Sequence, residues 1–147
     1  DFVGEPPMNI LEGQFIRQDG LLQFDLGGAA IAVNDRLGHA LEGADGTEWQ
    51  LGVRPSGVTL EPTQTKQSDI PATVFVSEPL GRDTILETRL AGQALTVKVP
   101  GLVSFESGTP VWLSIDSVQL HAFDKRTGSA VQFARVHQPT MAGSNER

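Results

Sequence analysis

Hydrophobic and polar residues alternate along much of the chain with a period of two, which is the pattern of a β-strand with one buried face. Leu22, Phe24 and Leu26 alternate with polar neighbours, and Leu95, Val97 and Val99 repeat the pattern. Val111, Leu113 and Ile115 form a third such series, opposite Trp112, Ser114 and Asp116. With the shorter apolar runs, the pattern predicts strands at 9–17, 21–26, 29–33, 49–53, 70–78, 84–90, 94–99 and 111–115. Gly27-Gly28 predicts a hairpin turn between the second and third strands.

Two of the strand-like segments run directly into stiff turns. Leu51 and Val53 lead to Arg54-Pro55, where proline fixes φ and removes a backbone donor, so strand pairing is expected to stop. Val74 and Val76 lead to Pro79-Leu80-Gly81, where the glycine permits the chain to reverse. Glycine and proline are frequent, with 16 and 9 residues, which favours short strands and turns over long helices. The sequence predicts an all-β domain with little helix, built as a five-stranded OB-like barrel with additional strands.

Four segments of the chain follow one another as they do in a known family. They are Pro6-Pro7-Met8-Asn9-Ile10-Leu11, Gly52-Val53-Arg54-Pro55-Ser56, Ser77-Glu78-Pro79-Leu80-Gly81-Arg82-Asp83-Thr84, and the stretch from Gly108 to Gly128. In this order and spacing, from Asp1 to about Val131, the chain resembles the C-terminal regulatory TOBE (transport-associated OB-fold) domain of ATP-binding subunits of carbohydrate-type ABC importers. That family includes maltose, trehalose and glycerol-phosphate uptake systems. Ser56 departs from the pattern, because the family usually has glutamate there.

The resemblance implies a function for the chain and a place for it in a larger protein. Residues 1–8 would be a linker from an ATPase domain, 9–137 one regulatory domain, and 138–147 a disordered tail. ATP and magnesium would bind the ATPase domain, and this part of the chain would hold no cofactor. The implied partners are a second copy of the ATPase subunit, membrane permease subunits and a regulatory protein, at the cytoplasmic face of the cell membrane.

Composition and charge exclude several other classes of function. The 147 residues suit one domain. The net charge of −7 and the scattered lysines do not provide the concentrated positive field that nucleic acids require. The chain has no cysteine, which excludes disulfides and thiolate metal sites, and no apolar run approaches the length of a membrane span. No G-x-x-x-x-G-K-[ST] segment occurs, so the chain has no phosphate loop.

Few side chains suggest catalysis. His39, His121 and His137 are far apart in the sequence, without a carboxylate or another histidine at metal-ligand spacing. Asp116 lies on the polar side of a strand and Asp124 begins a turn, so structural roles are favoured over an acid–base pair. We therefore expect no catalytic, cofactor-binding or metal-binding residues in this chain.

The sequence indicates one candidate interface and three candidate structural residues. The turn around Leu80 places an apolar side chain at an expected exposed tip, surrounded by charges that could set the register of an interface. The candidate interface residues are Glu78, Leu80, Gly81, Arg82 and Asp83, and a purely structural hairpin is the alternative. Arg54 and Pro55 are candidates for fixing the adjoining loop, with a subunit contact as the alternative for Arg54. Trp112, on the outer face of its strand, is expected to pack within the domain or in an interface.

Two functional classes remain after these exclusions. The first is a regulatory and dimerisation domain of an importer's ATP-binding subunit, without catalysis of its own. The second is a small-ligand module, since related OB-type domains bind oxyanions such as molybdate between subunits. The Ser-Ala-Arg-Asn pattern of that binding is absent near the first strand, where Gln14-Phe15-Ile16-Arg17 stands.

Overall fold

A computed structural model describes residues 6–33, 41, 48–117 and 120–126. These residues form ten strands and one short 3-10 helix, η1, at Pro55–Gly57. The strands are β1 Asn9–Gln18, β2 Leu21–Asp25, β3 Ala30–Ala32, β4 Trp49–Val53, β5 Val58–Glu61, β6 Ile70–Leu80, β7 Asp83–Leu90, β8 Gln93–Pro100, β9 Thr109–Ile115 and β10 Leu120–Asp124. In the described part of the chain, no helix has the length and hydrophobicity needed to cross a bilayer.

The strands form two antiparallel five-stranded sheets. The first sheet has the order β10-β4-β1-β2-β3, and the second has the order β5-β9-β6-β7-β8. Strand β8 also lies against η1 and β5, so the second sheet curls towards a barrel. The all-β, OB-like prediction with little helix is confirmed. The additional strands form the first sheet, which consists of β1, β2, β3, β4 and β10.

Strand β1 changes partner halfway along its length. Asn9 to Gly13 pair with β4, and Gln14 to Gln18 pair with β2. Gly13 stands at this change, and a Cβ there would collide with the carbonyl oxygen of Asp25 and the ring of Phe24. The strand can therefore follow this path only because residue 13 has no side chain.

The core lies between the inward faces of the two sheets. Phe15 packs edge-on against Phe24 and Trp49, with ring centroids 4.9 and 5.6 Å away. The fully buried large side chains, apart from Phe24, are aliphatic: Leu11, Ile31, Leu51, Val53, Val74, Leu86, Leu90, Leu95, Leu113 and Leu120. The buried positions follow the predicted alternation, because Leu95, Val97, Val111 and Leu113 all face this core.

Side-chain amides connect the two sheets where β1 passes β8. Asn9 Nδ2 donates hydrogen bonds to the carbonyl oxygens of Val53 (3.1 Å) and Thr96 (2.8 Å), and Asn9 Oδ1 accepts one from the Thr96 N–H (2.8 Å). Gln93 does the same from the other side, with its amide donating to the carbonyl of Glu12 and accepting from the Glu12 N–H, both at 2.8 Å. We call these two residues the amide clips. Asn9 satisfies the backbone groups of Thr96 at the edge of β8 that its partner β7 does not reach, and Gln93 satisfies the backbone groups of Glu12 on β1.

Most predicted strands and turns are found where the sequence placed them. Residues 27–28 turn between β2 and β3, and the Leu26 N–H donates to the Ala29 carbonyl at 2.8 Å. Pairing of β4 ends at Val53, directly before Arg54-Pro55, as the proline predicted. Strand β5 was not predicted. The proposed linker and tail, with their limits at 1–8 and 138–147, fall largely outside the described residues.

Candidate interaction surface

The predicted candidate interface lies on the hairpin of β6 and β7. Leu80 pairs with Asp83, and the two-residue turn between them is Gly81-Arg82. Gly81 has a φ of 65°, a conformation that glycine adopts at little cost. The Arg82 carbonyl accepts a hydrogen bond from the Gly101 N–H at 2.7 Å, which ties the turn to the segment after β8.

The structure corrects the expected position of Leu80. It is the last residue of β6 and not the tip of the turn, and its side chain is half-buried. The tip consists of Gly81 and Arg82, both exposed. Leu80 lies on the outer surface of the second sheet, because it is in register with Asp83 on that side and not with the buried Thr84.

The outward side of β6, β7 and β8, together with the turn Gly81-Arg82, forms a continuous surface that we call the hairpin face. Cross-strand register places Glu78, Ile85 and Lys98 in one row across it. Ile85 is only 8% exposed, yet it does not belong to the main core cluster. The hairpin face therefore has a small apolar centre at Ile85, which the register places between Glu78 and Lys98.

A β-bulge makes one end of the hairpin face more apolar. The pairing of β6 with β7 shifts between Val74 and Val76, so Phe75 is an extra residue in β6. Phe75 is 44% exposed and Val76 is 50% exposed. Both line a groove of about 610 Å³ that extends along β7 to Arg89 and Ala94. Two adjacent large apolar side chains that remain exposed are a feature of contact surfaces.

The charges on the hairpin face are balanced, although the chain carries a net charge of −7. The charged residues of this face are Glu78, Asp83, Glu87, Arg82, Arg89 and Lys98. Lys98 Nζ lies 3.6 Å from Asp83 Oδ2, and Thr96 Oγ1 donates to Glu87 Oε1 at 2.8 Å. The excess of negative charge therefore lies on other parts of the chain.

The candidate structural residues Arg54 and Pro55 occupy the junction between β4 and η1. Pro55 is buried as the first residue of η1, and the Arg54 carbonyl accepts a hydrogen bond from the Gly57 N–H at 2.9 Å. The side chain of Arg54 is exposed, and its positive charge acts on His121. Burial lowers the pKa of His121 below its usual 6.5, and the Arg54 guanidinium lowers it further. The role of Arg54 in holding the loop stays a prediction.

Trp112 is half-buried on the outer face of β9, as its position in the alternation predicted. It is in register with Glu61 of β5 on one side and with Pro71 of β6 on the other. Its neighbours in register therefore belong to its own domain.

The remaining polar candidates take structural positions or lie outside the described residues. Asp124 Oδ1 accepts the Arg126 N–H at 2.9 Å, which forms the predicted turn at the end of β10. His39 and His137 are among the residues that the structure does not describe. Within 6–33, 48–117 and 120–126, no three His, Asp or Glu side chains gather as metal ligands would.

Two features of this region were missed at the sequence level. The bulge at Phe75 is one, and the organisation of the polar loop before β6 is the other. Asp69 Oδ2 accepts hydrogen bonds from Thr65 N (2.8 Å), Thr65 Oγ1 (2.9 Å) and Lys66 N (2.9 Å), so this loop is held at its base. An aspartate three or four residues after such backbone groups was the only available signal.

Comparison with known proteins agrees with this architecture. Residues 65–122 match the family model described as the TOBE domain. This segment of the chain is a TOBE domain. It is 33% identical over 132 residues to the sn-glycerol-3-phosphate import ATP-binding protein UgpC of Salmonella typhimurium, a match that covers 88% of this chain and 35% of that protein. The UgpC of Burkholderia ambifaria is 31% identical over 127 residues, covering 86% and 34%. The chain thus spans about a third of the length of these curated relatives.

A solved structure shares the fold. The cytoplasmic molybdate-binding protein ModG, crystallised with molybdate bound, matches with a TM-score of 0.58 and 18% sequence identity. The match covers 78% of this chain and 94% of the ModG chain. At this level of identity, the likeness supports the fold alone.

Proposed function

We propose that this chain is the regulatory and dimerisation domain of the ATP-binding subunit of an ABC importer for sugars or related solutes. The observation that carries the proposal is the match to the sn-glycerol-3-phosphate import ATP-binding proteins across most of this chain. In this proposal ATP and magnesium bind a separate ATPase domain, and this domain performs no catalysis. It acts at the cytoplasmic face of the membrane, where the ATPase domain contacts the permease subunits.

The hairpin face is the surface that we assign to dimerisation, with a second copy of this chain as its partner. In a two-fold dimer the same surface patch of both copies forms the interface. A charged patch can therefore form attractive pairs only if it carries both positive and negative side chains. The hairpin face meets this condition, because its charges balance while the rest of the chain is acidic. Phe75 and Val76 add exposed apolar area near these charges.

The balanced charges also support a protein partner over nucleic acid. A nucleic acid would require an excess of positive charge on the surface that it contacts. A regulatory protein at the same face is the alternative occupant, and it would compete with the second copy.

Sedimentation velocity of the purified chain over a wide concentration range tests this assignment. The test variant is Val76→Glu with Arg82→Glu, which adds negative charge to the face without altering a core position. The matched control is Gln14→Glu with Arg17→Glu, on an exposed part of β1. We expect the wild type and the control to dimerise with increasing concentration and the test variant to remain monomeric.

Thermal unfolding separates a lost interface from a lost fold. Exposed substitutions are expected to change the free energy of unfolding by no more than about 0.5 kcal/mol. A wild-type chain that stays monomeric at millimolar concentration, or a test variant that dimerises like the control, would count against dimerisation through this face.

A further inference from the structure

The segment that follows β8 runs past the end of the β6–β7 hairpin and carries a strongly exposed leucine. We call residues 101–107 the strap. Leu102 is 74% exposed and Val103 is 38% exposed, so two adjacent large apolar side chains of the strap are in contact with solvent. Exposed apolar side chains that lie together are a feature of contact surfaces.

A buried hydroxyl group fixes the strap on both sides of the exposed leucine. Thr84, which is fully buried, donates a hydrogen bond from Oγ1 to the Gly101 carbonyl at 2.7 Å and accepts one from the Val103 N–H at 3.1 Å. Further along the strap, the Phe105 N–H donates to Ser77 Oγ at 3.1 Å. Because these bonds already hold the backbone, little conformational entropy is lost when a partner covers the strap.

An apolar hollow of about 340 Å³ lies beside the strap and is bordered by β5 and the end of β8. The apolar side chains of the hollow that are not fully buried include Leu60, Val99, Val103 and Phe105. Leu60 and Val99 lie on the inward side of the second sheet, as the strand register requires. The exposed leucine of the strap therefore stands next to a surface that suits an aliphatic side chain.

Opposite charges stand at the two ends of the strap. Arg82 lies at one end, because its carbonyl accepts the Gly101 N–H, and Glu106 lies near the other. Both side chains are exposed, and neither forms an ion pair within the described part of the chain. A two-fold axis through the middle of the strap would set the straps of two copies antiparallel, so each charge would meet the opposite charge of the other copy.

We infer that a second copy of this chain binds at the strap, with Leu102 of each copy in the hollow of the other and Arg82 of each copy paired with Glu106 of the other. This inference rests on the proposed dimerisation and adds a contact to it. The hairpin face continues onto the strap, because Pro100 is in register with Asp83 on the outward side and directly precedes the strap.

Sedimentation velocity over a wide concentration range tests the apolar contact with Leu102→Glu. We expect this variant to raise the dissociation constant of the dimer at least tenfold, because each copy would bring a carboxylate into an apolar hollow. The matched control is Leu21→Glu, since Leu21 is 63% exposed at the start of β2 in the other sheet, and it should dimerise like the wild type. A folded Leu102→Glu variant that dimerises like the control would overturn the inference.

Charge reversal tests the pairing between copies. Arg82→Glu and Glu106→Arg should each weaken dimerisation, and the double variant, in which the two charges are exchanged, should recover it. A double variant that dimerises no better than the weaker single variant would refute the pairing.

Val76→Glu, at the bulge end of the hairpin face, separates this inference from the proposed function. Dimerisation that is lost in Val76→Glu and kept in Leu102→Glu would overturn the strap contact alone. The reverse result would support the strap contact and count against the centre of the hairpin face. A wild type that stays monomeric at millimolar concentration would overturn both.

Discussion

The side-chain amide of Asn9 forms hydrogen bonds with both backbone groups of Thr96 at the edge of β8. The two residues are 87 positions apart, and the contact consists of one bond from Asn9 Nδ2 to the Thr96 carbonyl and one from the Thr96 N–H to Asn9 Oδ1, each 2.8 Å long. A third bond, to the Val53 carbonyl, joins the same amide to β4. One side chain thus takes the place of a missing strand neighbour.

The first prediction follows from these three bonds. Asn9→Ala leaves the N–H and carbonyl of Thr96 without their partner, and we expect a loss of about 1–3 kcal/mol in the free energy of unfolding. Urea denaturation monitored by tryptophan fluorescence measures it. Gln14→Ala, at an exposed site on the same strand, is the control and should change stability by less than about 0.5 kcal/mol. Equal stabilities for the two variants would show that the clip contributes nothing.

The second prediction concerns the change of partner in β1. Gly13→Ala introduces a methyl group into the space occupied by the Asp25 carbonyl, so the strand must shift, and we expect a loss of about 1–3 kcal/mol. Gly28→Ala is the matched control, because its added methyl group would meet only Ala91, at 3.7 Å. Thermal unfolding of both variants provides the comparison. A Gly13→Ala protein as stable as Gly28→Ala would contradict the close approach of β1 and β2.

The third prediction is a dependence of stability on pH through His121. Its pKa is lowered in the folded state, so the unfolded chain takes up a proton at a higher pH than the folded chain does. The free energy of unfolding should therefore be highest above about pH 6.5 and decrease as the pH falls below that value. His121→Gln removes this titration, so the stability difference between wild type and variant should change between about pH 7.5 and about pH 5.5.

Arg54 provides the control for that pH effect. Burial is the larger cause of the lowered pKa and the Arg54 charge the smaller one. Arg54→Gln should therefore reduce the pH-dependent loss without abolishing it. A stability difference between wild type and His121→Gln that is the same at both pH values would refute the assignment.

The fourth prediction is that the chain alone does not bind ATP. Its 147 residues contain no phosphate loop, so neither the cradle of backbone N–H groups nor the lysine that holds nucleotide phosphates is available. Isothermal titration calorimetry with Mg-ATP should show no saturable heat. An affinity in the micromolar range would contradict the proposed division between an ATPase domain and this domain.

Much of the fold could be predicted from the alternation of residue types. Leu95 and Val97 in β8 and Val111 and Leu113 in β9 reach the core as their period of two required. Strand β5 was missed because it has only four residues and lies between a proline-containing turn and a polar loop. In so short a segment, the alternation cannot be distinguished from chance.

The connections between the sheets could not be predicted from the pattern. Asn9 and Gln93 are ordinary polar residues in the sequence, and their partners are defined only when β1 and β8 come together. The burial of Ile85 could not be predicted either. Ile85 lies on the outward side of β7, and the alternation of residue types along one strand does not show that a side chain on that side is buried. The candidate interface on the β6–β7 hairpin stays a prediction. The exposed apolar pair Phe75 and Val76 beside it depends on a bulge that leaves no clear signal in the sequence.

The balanced charge of the hairpin face has a consequence for the choice of buffer. Two acidic chains repel each other at long range, whereas opposite charges meeting at this face attract at short range. At physiological ionic strength the screening length is about 8 Å, so salt weakens the long-range repulsion more than the close contacts. Association through this face should therefore be stronger near physiological salt than in dilute buffer, the reverse of the behaviour of two surfaces with opposite net charges.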